Sequence, residues 1–202
     1  MTLSKAALVQ AIDRVALAME RDFGELNAAD GALGDGDLGV TMTRGMRAIS
    51  QMKDDLPDDL GMALMQCAQA FTKSSGSSYG TLMATGLLSA AKTLKGKTQF
   101  EVAQMSDLVA AARDKMQNRG KAELGGKTVL DSLDAVARAT SGLDDKNAVA
   151  AAASDAVDQA LEDFRDKPAT IGRARIFAEK SIGLDDPGML AMQRIVKAAA
   201  WR

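Results

Sequence analysis

Apolar positions recur along this chain at helical spacing, and no segment shows the two-residue alternation of a half-buried strand. Leu8, Ile12, Val15 and Met19 are separated by four, three and four residues. They fall on one stripe of a helix that Ser4 is placed to cap. A second helix is predicted from about Val40 to Met52, ending before Pro57, and a third from Asp58 to Lys73, with Leu60, Leu64, Cys67 and Phe71 on one face. The run Ser74-Ser75-Gly76-Ser77-Ser78 then breaks the pattern. Further helices are predicted from about Tyr79 to Leu94, Glu101 to Asn118, Lys127 to Thr140, Lys146 to Arg165 and Pro187 to Trp201, joined by connections containing Gly96, Gly120 to Gly126, Gly142, Pro168 and Gly183. These eight helices with mostly short loops predict an all-α fold, an antiparallel up-and-down bundle or closed barrel. No repeat is visible, which argues against a solenoid.

In such an arrangement alternate connections lie at the same end. The loops after the first, third, fifth and seventh helices are the acidic segment near residue 30, the serine-glycine run, the stretch from Arg119 to Thr128 and the stretch from Thr170 to Gly188. All four irregular segments are therefore expected at one end.

Composition narrows the class. The 202 residues suit one domain, 1–202, large enough to bury a core without disulfides. Ala, Leu and Met dominate that core, with Met filling irregular gaps. The single Cys67, on an apolar helical stretch, reads as core and fits a reducing compartment. The first residues show neither a signal-peptide pattern nor a membrane span, so a cytoplasmic protein is expected, with no membrane association. A net charge of −2 with cations scattered among anions provides no basic stripe for nucleic acid, and 3% aromatics no stacking surface.

Candidate chemistry concentrates in Asp30-Gly31-Ala32-Leu33-Gly34-Asp35-Gly36-Asp37-Leu38-Gly39, in a chain with no histidine. An isolated aspartate in a glycine-rich turn is ordinarily a solvated turn residue. Here the glycines let the backbone turn sharply enough for Asp30, Asp35 and Asp37 to converge. At about 5 Å and an effective dielectric near 20, each carboxylate pair would repel by roughly 3 kcal/mol. A hard divalent cation removes that conflict, and an all-oxygen donor set points to Mg²⁺, Mn²⁺ or Ca²⁺. The spacing is not that of an EF-hand, whose fifth and twelfth positions would fall on Gly39 and Met46.

The other loops carry anion-binding ingredients. Ser74, Ser75 and Gly76 precede a helix N-terminus. Gly125-Gly126-Lys127-Thr128 lacks the earlier glycine of a P-loop, since position 121 is Lys121, and it follows a predicted helix. Gly172-Arg173-Ala174-Arg175 supplies guanidinium groups, and Gly183-Leu184-Asp185-Asp186-Pro187-Gly188 a second acidic turn. Three aspartates facing an ADP of about −3 would leave roughly −4 with one Mg²⁺ and about −2 with two, which favours two ions.

These segments together resemble the nucleotide-binding L subunit, or L domain, of the dihydroxyacetone kinases. The resemblance rests on Leu26-Asn27-Ala28-Ala29-Asp30-Gly31-Ala32-Leu33-Gly34-Asp35-Gly36-Asp37, on Ser75-Gly76 followed by Tyr79-Gly80-Thr81, on Arg119-Gly120-Lys121-Ala122-Glu123 running into Gly126-Lys127-Thr128-Val129-Leu130-Asp131, and on Gly172-Arg173-Ala174 through Glu179, Ser181-Ile182-Gly183 and Asp186-Pro187-Gly188. It implies an eight-helix antiparallel barrel with ADP or ATP capping one end, and Asp30, Asp35 and Asp37 holding two Mg²⁺ on its phosphates. It also implies nucleotide contacts from Leu38, Gly39, Val40 and Thr41, from Ser74 and Ser75, from Gly120, Val129 and Arg173, and from Asp186, Pro187 and Gly188. The implied activity is phosphoryl transfer to dihydroxyacetone or a related short ketose, with a four-carbon ketose such as erythrulose as the competing substrate. In the family a separate K subunit holds the ketose through a histidine, which this chain lacks. Some members are fed by a phosphohistidine phosphodonor protein and keep their ADP, whereas others exchange free ATP. The sequence departs from the pattern where Leu38 and Leu184 replace histidines and Lys73-Ser74 replaces paired glycines. A non-catalytic helical module that senses Mg-nucleotide is the alternative reading.

Overall fold

A three-residue strand, β1 (Thr2–Ser4), leads directly into α1 (Lys5–Arg21) in the computed structural model, which describes residues 1–200. There follow α2 (Phe23–Leu33), α3 (Leu38–Ser50), α4 (Leu60–Ser74), α5 (Ser78–Thr93), β2 (Gln99–Glu101), α6 (Met105–Gly120), α7 (Val129–Ala139), α8 (Lys146–Arg165) and α9 (Pro187–Ala199). The expected all-α architecture is present, but the described residues contain nine α-helices where the spacing predicted eight. The addition is α2, so Asp30 stands on a helix and not in the acidic loop. Trp201, the expected end of the last helix, lies outside the described residues.

Helix contacts explain both numbers. In the order α1, α3, α4, α5, α6, α7, α8, α9 and back to α1, each helix packs on the next, closing a barrel of eight staves. Helix α2 lies across one end, against α3, α9 and a 3₁₀ segment, Arg173–Ser181. At the other end β1 and β2 pair antiparallel with Leu3 opposite Phe100. That ribbon was not legible as strand because only three residues of each segment pair.

The apolar stripes meet as their spacing requires. Ile12, Val15 and Met19 of α1 face Met42 and Met46 of α3, Cys67 and Phe71 of α4 and Met189 of α9 in one buried cluster. Ser4 occupies the N-cap position of α1 without a side-chain cap bond. Asp59 does cap α4: one carboxylate oxygen accepts from Met62 N at 3.0 Å and the other from Gly96 N at 2.9 Å. This ties α4 to the turn after α5. Short side chains leave an apolar cavity of about 310 Å³ toward the ribbon end, lined in part by Leu8, Leu64, Phe100 and Val149. No helix among the described residues is long and apolar enough to cross a membrane.

Phe71 is 1% exposed and lies against Gly45, where an added Cβ would come within 2.3 Å of its ring. Gly45→Ala is expected to destabilise the fold by about 1–3 kcal/mol through overpacking, and Phe71→Ala by about 3–5 kcal/mol through the cavity it opens. Urea unfolding followed by circular dichroism should show a double variant less destabilised than the sum, because the truncated ring makes room for the methyl.

Candidate metal and nucleotide site

The four irregular segments do converge at one end of the barrel. They line a cavity of about 540 Å³ whose walls include Asp30, Asp35, Asp37, Ser77, Arg119, Gly120, Thr128, Gly172, Arg173 and Asp186.

The acidic corner is built by a helix-to-helix latch. The first amides of a helix have no partner within it, and at α3 side chains from α2 supply them. Asp30 Oδ2 accepts from Asp37 N at 2.8 Å and Leu38 N at 3.1 Å. One turn earlier on α2, Asn27 Oδ1 accepts from Gly39 N at 2.8 Å and Val40 N at 3.3 Å. Thr41 N bonds back to Asp37 O at 2.9 Å. Between the two helices Gly36 takes a left-handed φ of +75°, and a Cβ at Gly34 would sit 2.5 Å from Asp30 Oδ1. The turn can be this tight only with glycine at both places.

Its result is that Asp30, Asp35 and Asp37 each offer a carboxylate oxygen within 4.8 Å of the others. Asp30 is half-buried and the other two are exposed. Asp35 also pairs with the Arg173 guanidinium from the opposite wall. An all-oxygen cluster of this size fits a hard divalent cation.

Three helix N-termini face the same space. Ser77 caps α5, its hydroxyl accepting from Gly80 N at 3.0 Å. Thr128 caps α7 by accepting from Leu130 N at 3.2 Å, while Asp131 accepts from Thr128 N at 2.8 Å and Gly125 N at 2.5 Å. Asp186 caps α9, accepting from Met189 N at 2.8 Å, with Pro187 in the first turn. Their partial positive ends favour an anion. A separate part of the lining, from Leu82, Met116, Ala122, Val129 and Leu130, is apolar and suits a flat base.

Of the residues named from sequence, Asp30, Asp35, Asp37, Leu38, Gly120, Val129, Arg173, Asp186, Pro187 and Gly188 line the cavity. Gly39, Val40 and Thr41 do not, and their amides are already bonded. Ser74 and Ser75 are also absent from the lining. Ser74 Oγ donates to Phe71 O at 2.8 Å at the end of α4, and Ser75 Oγ lies 3.4 Å from Ser77 Oγ. The serines at the wall are Ser77 and Ser78, three places further on. Thr128, Arg119 and Tyr79, which stand in the sequence motifs but were given no role there, line it too. Thr128 with Asp131 is a capping-box spacing that the sequence does display. At Leu38, where the family pattern has histidine, the side chain is 5% exposed and packs into the core.

Burial pushes the Asp186 carboxyl up to about 7, against the opposing effects of its Met189 and Gly188 amide bonds and the Lys127 ammonium. Burial likewise raises the Tyr79 phenol, whose hydroxyl donates to Gly188 O at 3.0 Å.

Comparison with known proteins gives the family. The family model for the DAK2 domain matches residues 32–200. This chain belongs to the DAK2 domain family. The DAK2 chain is 30% identical over 182 residues to the PEP-dependent dihydroxyacetone kinase 1 ADP-binding subunit DhaL of Listeria innocua serovar 6a, covering 86% of this chain and 88% of that protein. It is 27% identical over 208 residues to the corresponding DhaL of Escherichia coli K12, covering 98% and 99%. An L-erythrulose kinase of Pectobacterium atrosepticum is 30% identical over 184 residues, covering 87% of this chain and 31% of that enzyme. The native crystal structure of the C. freundii dihydroxyacetone kinase superposes with a TM-score of 0.77 at 25% identity, covering 96% of this chain and 34% of that one. The same kinase with AMP-PNP and Mg²⁺ gives 0.75 at 24% identity, a likeness of fold alone. The DAK2 chain thus spans nearly all of the two DhaL subunits and about a third of these longer kinases.

Two stability predictions follow from the latch and the caps. Asp30→Ala removes the acceptor for two α3 amides and is expected to cost about 1 kcal/mol, whereas Asp35→Ala and Asp37→Ala, at exposed positions, should stay within about 0.5 kcal/mol in chemical denaturation with EDTA. For Asp186 the folded pKa of about 7 lies above the unfolded value near 3.9, so the native state binds the extra proton between those limits. Its contribution is fully present below about pH 4 and is lost as pH rises through about 7. The stability of the wild type relative to Asp186→Asn should fall over that window, and parallel pH profiles for the two proteins would contradict the assignment.

Proposed function

We propose that this DAK2 chain is the nucleotide-binding subunit of a small-ketose kinase. It would transfer a phosphoryl group from Mg-bound ATP, or from phosphorylated bound ADP, to dihydroxyacetone or a related short ketose on a separate K subunit. The observation that carries the reading is the placement of three carboxylate oxygens within 4.8 Å of one another at a cavity faced by three helix N-termini. The carboxylates suit a cation, the helix ends suit phosphate oxygens, and the apolar wall suits a base. The names of the DhaL relatives support the same assignment.

Asp30, Asp35 and Asp37 would hold the metal, with two Mg²⁺ favoured by the charge balance. These carboxylates would place on the terminal phosphates a cation whose chemistry, when bound, would be to neutralise the charge that develops as the phosphoryl group leaves. The chain's own groups orient the nucleotide: Ser77, Ser78 and the start of α7 from one side, Arg173 and the Asp186–Gly188 turn from the other. With no histidine among these 202 residues, a histidine that holds the ketose and any phosphohistidine would be supplied from outside them. Two relatives that this chain matches over most of their length are PEP-dependent by name, which supports a retained ADP rephosphorylated by a phosphodonor protein. The match to an L-erythrulose kinase supports erythrulose as the second substrate to test.

Calorimetry should show ADP binding that requires Mg²⁺ and disappears in excess EDTA, and Asp35→Ala and Asp37→Ala should each abolish it without unfolding the protein. Binding unchanged in EDTA would contradict the metal assignment. Mixing the chain with a K subunit, ATP or a phosphodonor, and dihydroxyacetone or erythrulose should give turnover. Nucleotide binding with no turnover under any combination would leave the sensor module as the better reading.

A further inference from the structure

Lys127 is the largest charged side chain enclosed by this fold. It is 1% exposed and holds a left-handed φ of +60°, a conformation L residues rarely adopt. Its Nζ donates to three backbone carbonyls: Arg165 O at 2.8 Å, Lys167 O at 2.9 Å and Ser181 O at 2.7 Å. An ammonium has three protons and no acceptor, so every donor is used on main chain. Glycine would relieve the backbone at this position but would leave Lys167 O without its donor, and Arg165 O and Ser181 O with only the amides of Gly183 and Leu184.

The bonded carbonyls bracket one segment. It leaves the end of α8 at Arg165–Lys167, carries Gly172 and Arg173, runs through the 3₁₀ stretch Arg173–Ser181 and returns at Ser181. Nine residues is long for a 3₁₀ helix, whose hydrogen bonds are poor. Besides these bonds, the strap is held by Thr170 N donating to Gly126 O at 3.3 Å, by the cluster of Ala169 and Ala174 with Leu33 and Phe177, and by the Arg173–Asp35 pair. Ile176 is 76% exposed, and the strap's buried anchors are Ala169, Ala174 and Ser181. The neck is reinforced by Ser181, whose hydroxyl accepts from Ala169 N at 2.7 Å and donates to Ala178 O at 2.5 Å. Next to Lys127, Thr128 and Val129 begin α7 and line the cavity. One ammonium therefore fastens the entry and exit of the strap to the helix start that forms the facing wall.

Resting on the function proposed above, we infer that Lys127 is a positioning residue: by closing the neck of the 166–182 strap on α7 it sets where Arg173 stands over the carboxylate cluster and the nucleotide phosphates. It touches neither metal nor nucleotide itself. Its effect on binding passes through Arg173.

The test uses the full chain with Lys127→Met, Arg173→Ala, the double variant and Ser181→Ala. Without ligand, hydrogen exchange in Lys127→Met should accelerate at least about tenfold across 168–182 and stay at wild-type rates in α1, α3 and α4. With ADP and Mg²⁺, Lys127→Met and Arg173→Ala should each weaken binding about tenfold, and the double variant should be no weaker than Arg173→Ala alone. A purely structural role predicts factors that multiply. Multiplied factors, or unchanged exchange in the strap, overturn the inference. If Lys127→Met does not fold, Ser181→Ala loosens the same neck with the charge intact and must show the same non-additivity with Arg173→Ala. Wild type that binds no ADP with Mg²⁺ would end the proposed function and Arg173's target with it, while the exchange arm alone still decides whether Lys127 holds the strap.

Discussion

Everything at the functional end depends on the bond between the last turn of α2 and the first turn of α3. Asp30 and Asn27, three residues apart on one helix face, fill the amide positions that begin α3. Asp30 thereby serves twice: one carboxylate oxygen accepts from Asp37 and Leu38, while the group as a whole stands with Asp35 and Asp37 in the acidic cluster. The partial positive end of α3 offsets part of the repulsion that three neighbouring carboxylates create, and Arg173 offsets more from across the cavity. The fold itself thus makes the cluster tolerable.

The barrel gives this corner its surroundings. A ring of eight staves with short connections sends every second loop to the same end, which brings the starts of α5, α7 and α9 to face α2 and α3. Polar caps at those starts satisfy only part of each helix end, leaving dipoles aimed into the cavity. The strap between α8 and α9 closes the remaining side, and its anchoring by Lys127 makes the arginine's location a property of the barrel wall.

Much of this was legible from residue spacing, because a core of Ala, Leu and Met carries its periodicity openly. The staves, their alternation and the shared end of four loops all follow from counting apolar steps. Helix α2 did not: Gly24, Asn27 and Gly31 are poor helix formers, and the helix exists because its last turn binds α3. The same tertiary cause explains the shift from Ser74 and Ser75 to Ser77 and Ser78, since α4 runs on through Ser74 and a loop's composition does not say where the helix before it stops. It also explains Leu38 to Val40, whose backbone reads as free at a helix start until the partners on α2 are seen. Lys127 looked like part of a failed phosphate loop. Its role comes from carbonyls 38 to 54 residues away, which local spacing cannot report.

The central claim is that Asp30, Asp35 and Asp37 form one oxygen site for divalent cations against a nucleotide's phosphates. Crystals grown with ADP and Mn²⁺, measured for manganese anomalous scattering, test it most directly. The account predicts two anomalous peaks, each about 2.1 Å from carboxylate oxygens of this cluster, with the ADP phosphates beside them. Manganese bound elsewhere, or the three carboxylates turned apart with ADP still in the cavity, would contradict it.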